Sequence, residues 1–92
     1  MAKIKGRNAS FFRAIEDEAM ALQYHDGRGI IFQNLDAARA YERSSLPEHL
    51  RRANEAWMNI KAVVKDPKLR ARIDGRIKLN EQKSDASGLK RA

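Results

Sequence analysis

The 92-residue chain lacks cysteine altogether and contains only two histidines and one tryptophan. Without cysteine it has no disulfide bond, no thiolate nucleophile and no cysteine-ligated zinc. No apolar run approaches the roughly 18 residues of a membrane-spanning helix, and no apolar segment follows the basic N-terminus as it would in a secretory signal. We therefore expect a cytoplasmic protein that does not bind a membrane.

The sequence also has few residues arranged for catalysis. His25 and His49 are far apart in the chain, and their acidic neighbours, Asp26 and Glu48, occupy adjacent positions that do not face them on a helix. The three carboxylates of residues 16–18 are consecutive, so they fan out around a helix instead of forming a pair. No glycine-rich phosphate loop ends in Lys-Ser or Lys-Thr. We predict no enzymatic activity, no metal site and no cofactor.

What the chain does contain is an excess of positive charge. Lysine and arginine total 19 against 12 aspartates and glutamates, a formal net charge of +7. Residues 1–9 carry three positive groups and no negative one, whereas residues 10–26 carry one positive and four negative groups. Residues 65–92 carry nine positive and four negative groups. This balance favours an anionic partner, either nucleic acid (DNA or RNA) or an acidic protein surface.

The positive charge of the C-terminal segment is concentrated on one side of a predicted helix that opens at Pro67. At about 100° per residue, an arc of about 80° contains Lys65, Lys68, Arg72, Arg76 and Lys83. The acidic residues of this segment fall outside that arc, so the stripe suits the phosphates of nucleic acid. The candidate nucleic-acid-binding set also includes Arg28, between two glycines, and Lys3, Lys5 and Arg7 near the N-terminus.

The apolar periodicity predicts a mainly α fold, a small bundle of about four helices. Helices are predicted at residues 10–23, 35–43, 46–64 and from 67 onward, with N-caps at Ser10, Asn34, Ser45 and Asp66. The third is the clearest, because apolar residues follow at steps of three and four: Leu46, Leu50, Ala53, Trp57, Ile60 and Val64. We expect Trp57 and Phe12 in the core.

The segments between and beyond these helices are less regular. Two glycines predict a turn at residues 24–29, and the β-branched run at residues 30–32 predicts at most a short β ribbon near residues 30–33. We divide the chain into a basic N-terminal arm (1–9), a single helical domain (10–83) and a mobile basic tail (84–92). Gly75 either bends or ends the last helix.

Three functional hypotheses follow from these features. The first is a small non-enzymatic accessory protein that binds nucleic acid through phosphate contacts from the C-terminal helix. The second is a protein-binding inhibitor or adaptor, for example of a phage type, that docks on a host nucleic-acid-processing complex. It would use either the same basic face or the segment of residues 24–32 as its contact. The third is a homodimeric structural protein, paired through residues 30–32 or through the alanine-rich face of the second helix.

Overall fold

The computed structural model describes the backbone of residues 2–22, 25–44 and 46–91, and the side chains of residues 9–22, 27–44 and 46–85. It contains four helices: α1 (Ala2–Ala21), α2 (His25–Ser44), α3 (Pro47–Val63) and α4 (Pro67–Arg91). The described part of the chain has no strand. The prediction of a mainly α bundle of about four helices is confirmed. No helix in the described ranges is both long and apolar enough to cross a lipid bilayer.

Helix α3 matches its predicted bounds closely. Pro47 occupies the start of the helix, where its missing N–H has no intrahelical partner to lose. Of the predicted apolar stripe, all members from Leu50 to Val64 are buried, and Trp57 is completely so. Leu46 is 50 % exposed because it precedes the helix in an extended conformation. No side-chain hydrogen bond caps the N-terminus of α3. The predicted cap Ser45 lies outside the described residues.

Helix α2 replaces the turn, the β ribbon and the shorter helix that we predicted between residues 24 and 43. Ile31 is buried together with Leu35 and Ala38, four and seven residues later, which is the spacing of one helical face. The prediction allowed at most a short ribbon here, and none forms, because the helical period extends past the apolar run. Asn34 is not an N-cap but lies within α2, where its Nδ2 donates to the carbonyl of Ile30 at 2.8 Å.

The outer two helices are longer than predicted. Helix α1 begins at Ala2, so Ser10 is inside it and the predicted arm belongs to the helical backbone. Helix α4 runs through Gly75 without a break and continues to Arg91. A Cβ at Gly75 would meet nothing within 4 Å, and a single glycine costs only about 1 kcal/mol in a helix. The backbone of residues 84–91 is therefore part of α4, whereas the mobility of that segment stays a prediction.

Helix α3 is central in the bundle and packs against both α2 and α4. Helix α1 lies against α2 and α4, and the ring of Phe11 reaches Trp57 of α3 at 5.5 Å between centroids. The core joins Ile15, Ile31 and Ile60 around that tryptophan. This arrangement brings Arg39 of α2 and Arg76 of α4 together beside Phe12, in the middle of α1.

Candidate nucleic-acid interface

The predicted stripe on α4 is only partly a free surface. Lys68, Arg72 and Lys83 are exposed along the flank that adjoins the buried residues Leu69 and Ile73. Lys68 and Lys83 are 15 residues apart in the chain, which is about 22 Å along a helix at 1.5 Å per residue. Three exposed cations are thus spread over a distance that matches several phosphates of one strand.

Lys65 does not share the helical arc that we predicted for it. Residues 64–66 are not helical, so the angular position of Lys65 is not fixed by the period of α4. Its side chain is exposed, and its backbone N–H donates to Oε1 of Glu18 at 3.2 Å. Asp66 does act as the predicted cap of α4, since its Oδ1 accepts the N–H of Lys68 at 3.3 Å.

Arg76, the fourth helical member of the stripe, is engaged inside the fold. Its NH2 lies 2.7 Å from Oε1 of Glu42, and its Nε donates to Oε2 of the same carboxylate at 3.1 Å. This two-point pair joins α4 to α2, and the side chains are only 24 % and 12 % exposed. Bidentate geometry of this kind fixes the orientation of both groups. Arg76 therefore holds the bundle together as well as lining its surface.

The Glu42 carboxylate is the centre of a larger polar network. Its Oε2 also accepts hydrogen bonds from Nε1 of Trp57 at 2.8 Å and from Nδ2 of Asn80 at 2.7 Å. Burial of the carboxylate raises its pKa, but the hydrogen bonds from Arg76, Asn80 and Trp57 and the charge of Arg76 outweigh burial, so that the pKa of Glu42 is lowered from its ordinary value. Glu42 is an ionised acceptor at neutral pH.

This network was missed in the sequence, although a signal for it exists. Glu42 follows Leu35 by seven residues and Ala38 by four, so it continues the buried face of α2. Asn80 likewise follows Ile73 by seven residues, is buried, and donates to Oδ1 of Asn54 at 3.0 Å. A polar group on an apolar helical face must find a partner within the fold. The identity of that partner depends on which helix packs there.

Two arginines of α2 face the stripe of α4 across this network. A cleft of about 250 Å³ is lined by Phe12, Arg39, Glu42, Arg43 and Arg76, and we call it the arginine cleft. Arg39 and Arg43 are exposed, one helical turn apart. Neither arginine belongs to the predicted binding set, and no basic run marks this helix in the sequence.

The aromatic ring of Phe12 lines this cleft. Phe11 is buried, whereas Phe12 is half-buried and packs against the core, so the prediction of Phe12 as a core residue is correct only in part. The ring of Phe12 is stacked on Trp57 with centroids 6.0 Å apart, and the guanidinium of Arg39 lies 4.8 Å from the centroid of Phe12. The Arg72 guanidinium lies 5.0 Å from the centroid of Phe11. These cation–π contacts position the arginines at the surface.

The remaining predicted residues are elsewhere or outside the described side chains. Arg28 is half-buried, and its Nε donates to the carbonyl of Leu22 at 3.0 Å, just beyond the C-terminus of α1. A cation at this helix end stabilises the free carbonyls and the helix dipole. The side chains of Lys3, Lys5 and Arg7 lie outside the described residues, although their backbone belongs to α1.

Acidic side chains mark the limit of the basic area. Glu16 and Arg39 line the same neighbouring depression on α1, and Asp36 is exposed one turn before Arg39 on α2. Over the residues whose side chains are described, no three His, Cys, Asp or Glu groups come together as in a metal site. The guanidinium and ammonium groups of this surface can therefore bind an anion beside the aromatic ring of Phe12.

Comparison of the chain with protein-family models, with curated proteins and with solved structures found no match, so its function is inferred from its own residues.

Proposed function

We propose that this protein binds nucleic acid without catalysis, through phosphate contacts made by one basic surface. The basic surface comprises the exposed cations of α2 and α4, namely Arg39, Arg43, Lys68, Arg72 and Lys83. The observation that carries the proposal is the pairing of Glu42 with Arg76. This pairing occupies Glu42, the carboxylate among the described residues that line the cleft. It leaves Arg39 and Arg43 beside the cleft, and the three exposed cations of α4, to act on an external anion.

The charge on this surface is not cancelled internally. Among the described side chains, the ion pairs are Glu42 with Arg76 and Lys61 with Asp74, and none of the five cations belongs to either pair. Their arrangement along two helices favours a partner with regularly spaced negative charges. A phosphate backbone has this property, and its neutralisation releases condensed counterions.

The test is a binding titration with the purified, nuclease-treated full chain. Fluorescence anisotropy would measure its affinity for labelled single-stranded DNA, RNA and duplex DNA at about 50 and about 200 mM salt. We expect affinity to fall steeply with salt. The variant K68Q/R72Q/K83Q should bind more weakly to every sequence. Each lost phosphate contact should reduce the salt slope, which is the slope of log affinity against log salt concentration, by about one in magnitude. Arg76 is left unchanged because its loss would disturb the fold.

A matched control separates local contacts from total charge. The variant R51Q/R52Q/K78Q removes the same number of positive charges from exposed positions outside the basic surface. It should retain nearly the affinity of the parent chain. Equal binding by the two triple variants would assign the interaction to total charge and overturn the proposed surface. Absence of binding even at low salt would reject nucleic acid and favour the acidic protein partner.

A further inference from the structure

We propose that the arginine cleft binds one unpaired nucleotide, so that the protein prefers single-stranded nucleic acid to duplex. The inference rests on the proposed function and assigns a substrate class to it. A base would pack against the guanidinium of Arg39, and its phosphate would be bound by Arg43. Base stacking on a guanidinium plane is a common mode of single-strand recognition.

A column of aromatic and guanidinium groups runs from Trp57 in the core through Phe12 to Arg39 at the surface. Trp57 is buried and stacks on Phe12 with an angle of 22° between the ring planes. The guanidinium of Arg39 lies over the Phe12 ring at 4.8 Å from its centroid, and Arg39 itself is exposed. A base added to Arg39 would extend this column by one member. Such stacking does not discriminate between sequences, because every base has a π face.

The size of the cleft limits what it can hold. A volume of about 250 Å³ is below the lower end of the range for enclosed small-molecule pockets, about 300 Å³. It suits one base or one phosphate group that remains attached to a strand outside. A base within a duplex is stacked and paired, so entering the cleft would cost the unstacking and unpairing energy that a free strand does not require.

Glu42, the carboxylate among the described residues that line the cleft, is held in a fixed position. Glu42 accepts hydrogen bonds from Arg76, Trp57 and Asn80 at once. Rotating it toward Arg39 or Arg43 would break these bonds. The two exposed arginines therefore remain available to a phosphate, while the Arg76 guanidinium next to them is held in place.

The decisive experiment uses Arg39→Lys, which retains the positive charge and removes the planar guanidinium. Anisotropy titrations would compare a labelled oligothymidine of about 20 nucleotides, a duplex of the same length and an abasic strand of the same length. The parent chain should bind oligothymidine about tenfold more tightly than the abasic strand. The variant should lose about tenfold in affinity for oligothymidine, and its losses for the duplex and for the abasic strand should be smaller, because lysine retains the charge.

Arg52→Lys is the matched control, since Arg52 is an exposed arginine of α3 outside the cleft. It should bind all three probes like the parent chain, and thermal unfolding should show that neither variant alters the fold. The inference is overturned if Arg39→Lys binds oligothymidine as tightly as the parent does. It is also overturned if the parent binds oligothymidine and the abasic strand equally, although the phosphate-contact function would then stand. Failure to bind any strand would reject both.

Discussion

Glu42 on α2 and Arg76 on α4 are 34 residues apart in sequence, yet their side chains meet through two hydrogen bonds of 2.7 and 3.1 Å. The same carboxylate accepts the indole N–H of Trp57, so three helices share one acceptor group. The Glu42 carboxylate thus provides a hydrogen-bond acceptor both for the side-chain N–H of the central tryptophan and for the half-buried guanidinium of Arg76. It also separates the fold-holding Arg76 from the exposed cations around it.

Replacing Glu42 by glutamine should destabilise the protein by about 2–3 kcal/mol, because it leaves the Arg76 charge partly buried without its counterion. Urea unfolding followed by circular dichroism would measure the loss. Glu55→Gln, at an exposed position of α3, should change stability by no more than about 0.5 kcal/mol. The double variant E42Q/R76Q should lose less stability than the sum of the losses in E42Q and R76Q. Strict additivity of the two losses would contradict an energetic coupling between Glu42 and Arg76.

The lowered pKa of Glu42 makes the stability of the bundle depend on acid. Because the folded-state pKa is below the ordinary value of 4.5, the unfolded chain takes up this proton first as pH falls. The stabilisation is therefore complete above pH 4.5 and is lost as pH falls through the folded-state pKa. Unfolding free energies measured between about pH 6 and about pH 3 should decline less steeply in Glu42→Gln than in the parent. Parallel curves would argue against this linkage.

Trp57 should show separable packing and hydrogen-bonding contributions. Trp57→Ala removes a completely buried ring and should cost about 3–5 kcal/mol. Trp57→Phe keeps an aromatic ring beside Phe11 and Phe12 but loses the donor to Glu42, and should cost about 1–3 kcal/mol. Denaturant titrations of both variants would test this order. An equal loss in the two would mean that ring packing contributes little.

Two glycines in helices should respond differently to alanine. Gly75→Ala should stabilise the protein by about 1 kcal/mol, because the new Cβ meets nothing within 4 Å and alanine favours the helix. At Gly27 the added Cβ would lie 3.0 Å from Cδ1 of Leu22, so the leucine must shift and the gain should be smaller. Thermal unfolding would compare the two. A larger gain at Gly27 would show that Leu22 moves freely.

Arg28 should prove to be a structural residue and not a phosphate contact. Arg28→Gln removes the hydrogen bond to the Leu22 carbonyl and the cation beside the C-terminus of α1. We expect a loss of about 1 kcal/mol in stability and unchanged affinity for nucleic acid. Urea unfolding and anisotropy on the same preparation would test both. A drop in affinity without a drop in stability would restore Arg28 to the interface.

Local sequence was sufficient wherever a structural feature depends on neighbours within a few residues. Pro47 and the apolar steps that follow it predicted α3 within one residue at each end. The helical period also predicted that Lys68, Arg72 and Lys83 lie on one side of α4, where they are exposed. The local pattern was misleading at Ile31, because the short β-branched run there is typical of a strand. The spacing of Ile31, Leu35 and Ala38, by four and then three residues, instead indicates a helix.

The sequence by itself determined helix α3, the central tryptophan and a one-sided row of charge, because these follow from a repeat of 3.6 residues per turn. Only the tertiary structure decided that Arg76 is paired with Glu42 and that Arg39 and Arg43 join the same surface. These relationships depend on how α2 and α4 pack around α3, with partners more than 30 residues apart. No short-range sequence pattern predicts which distant residues meet, because the packing of the helices is fixed by burial of the shared apolar core.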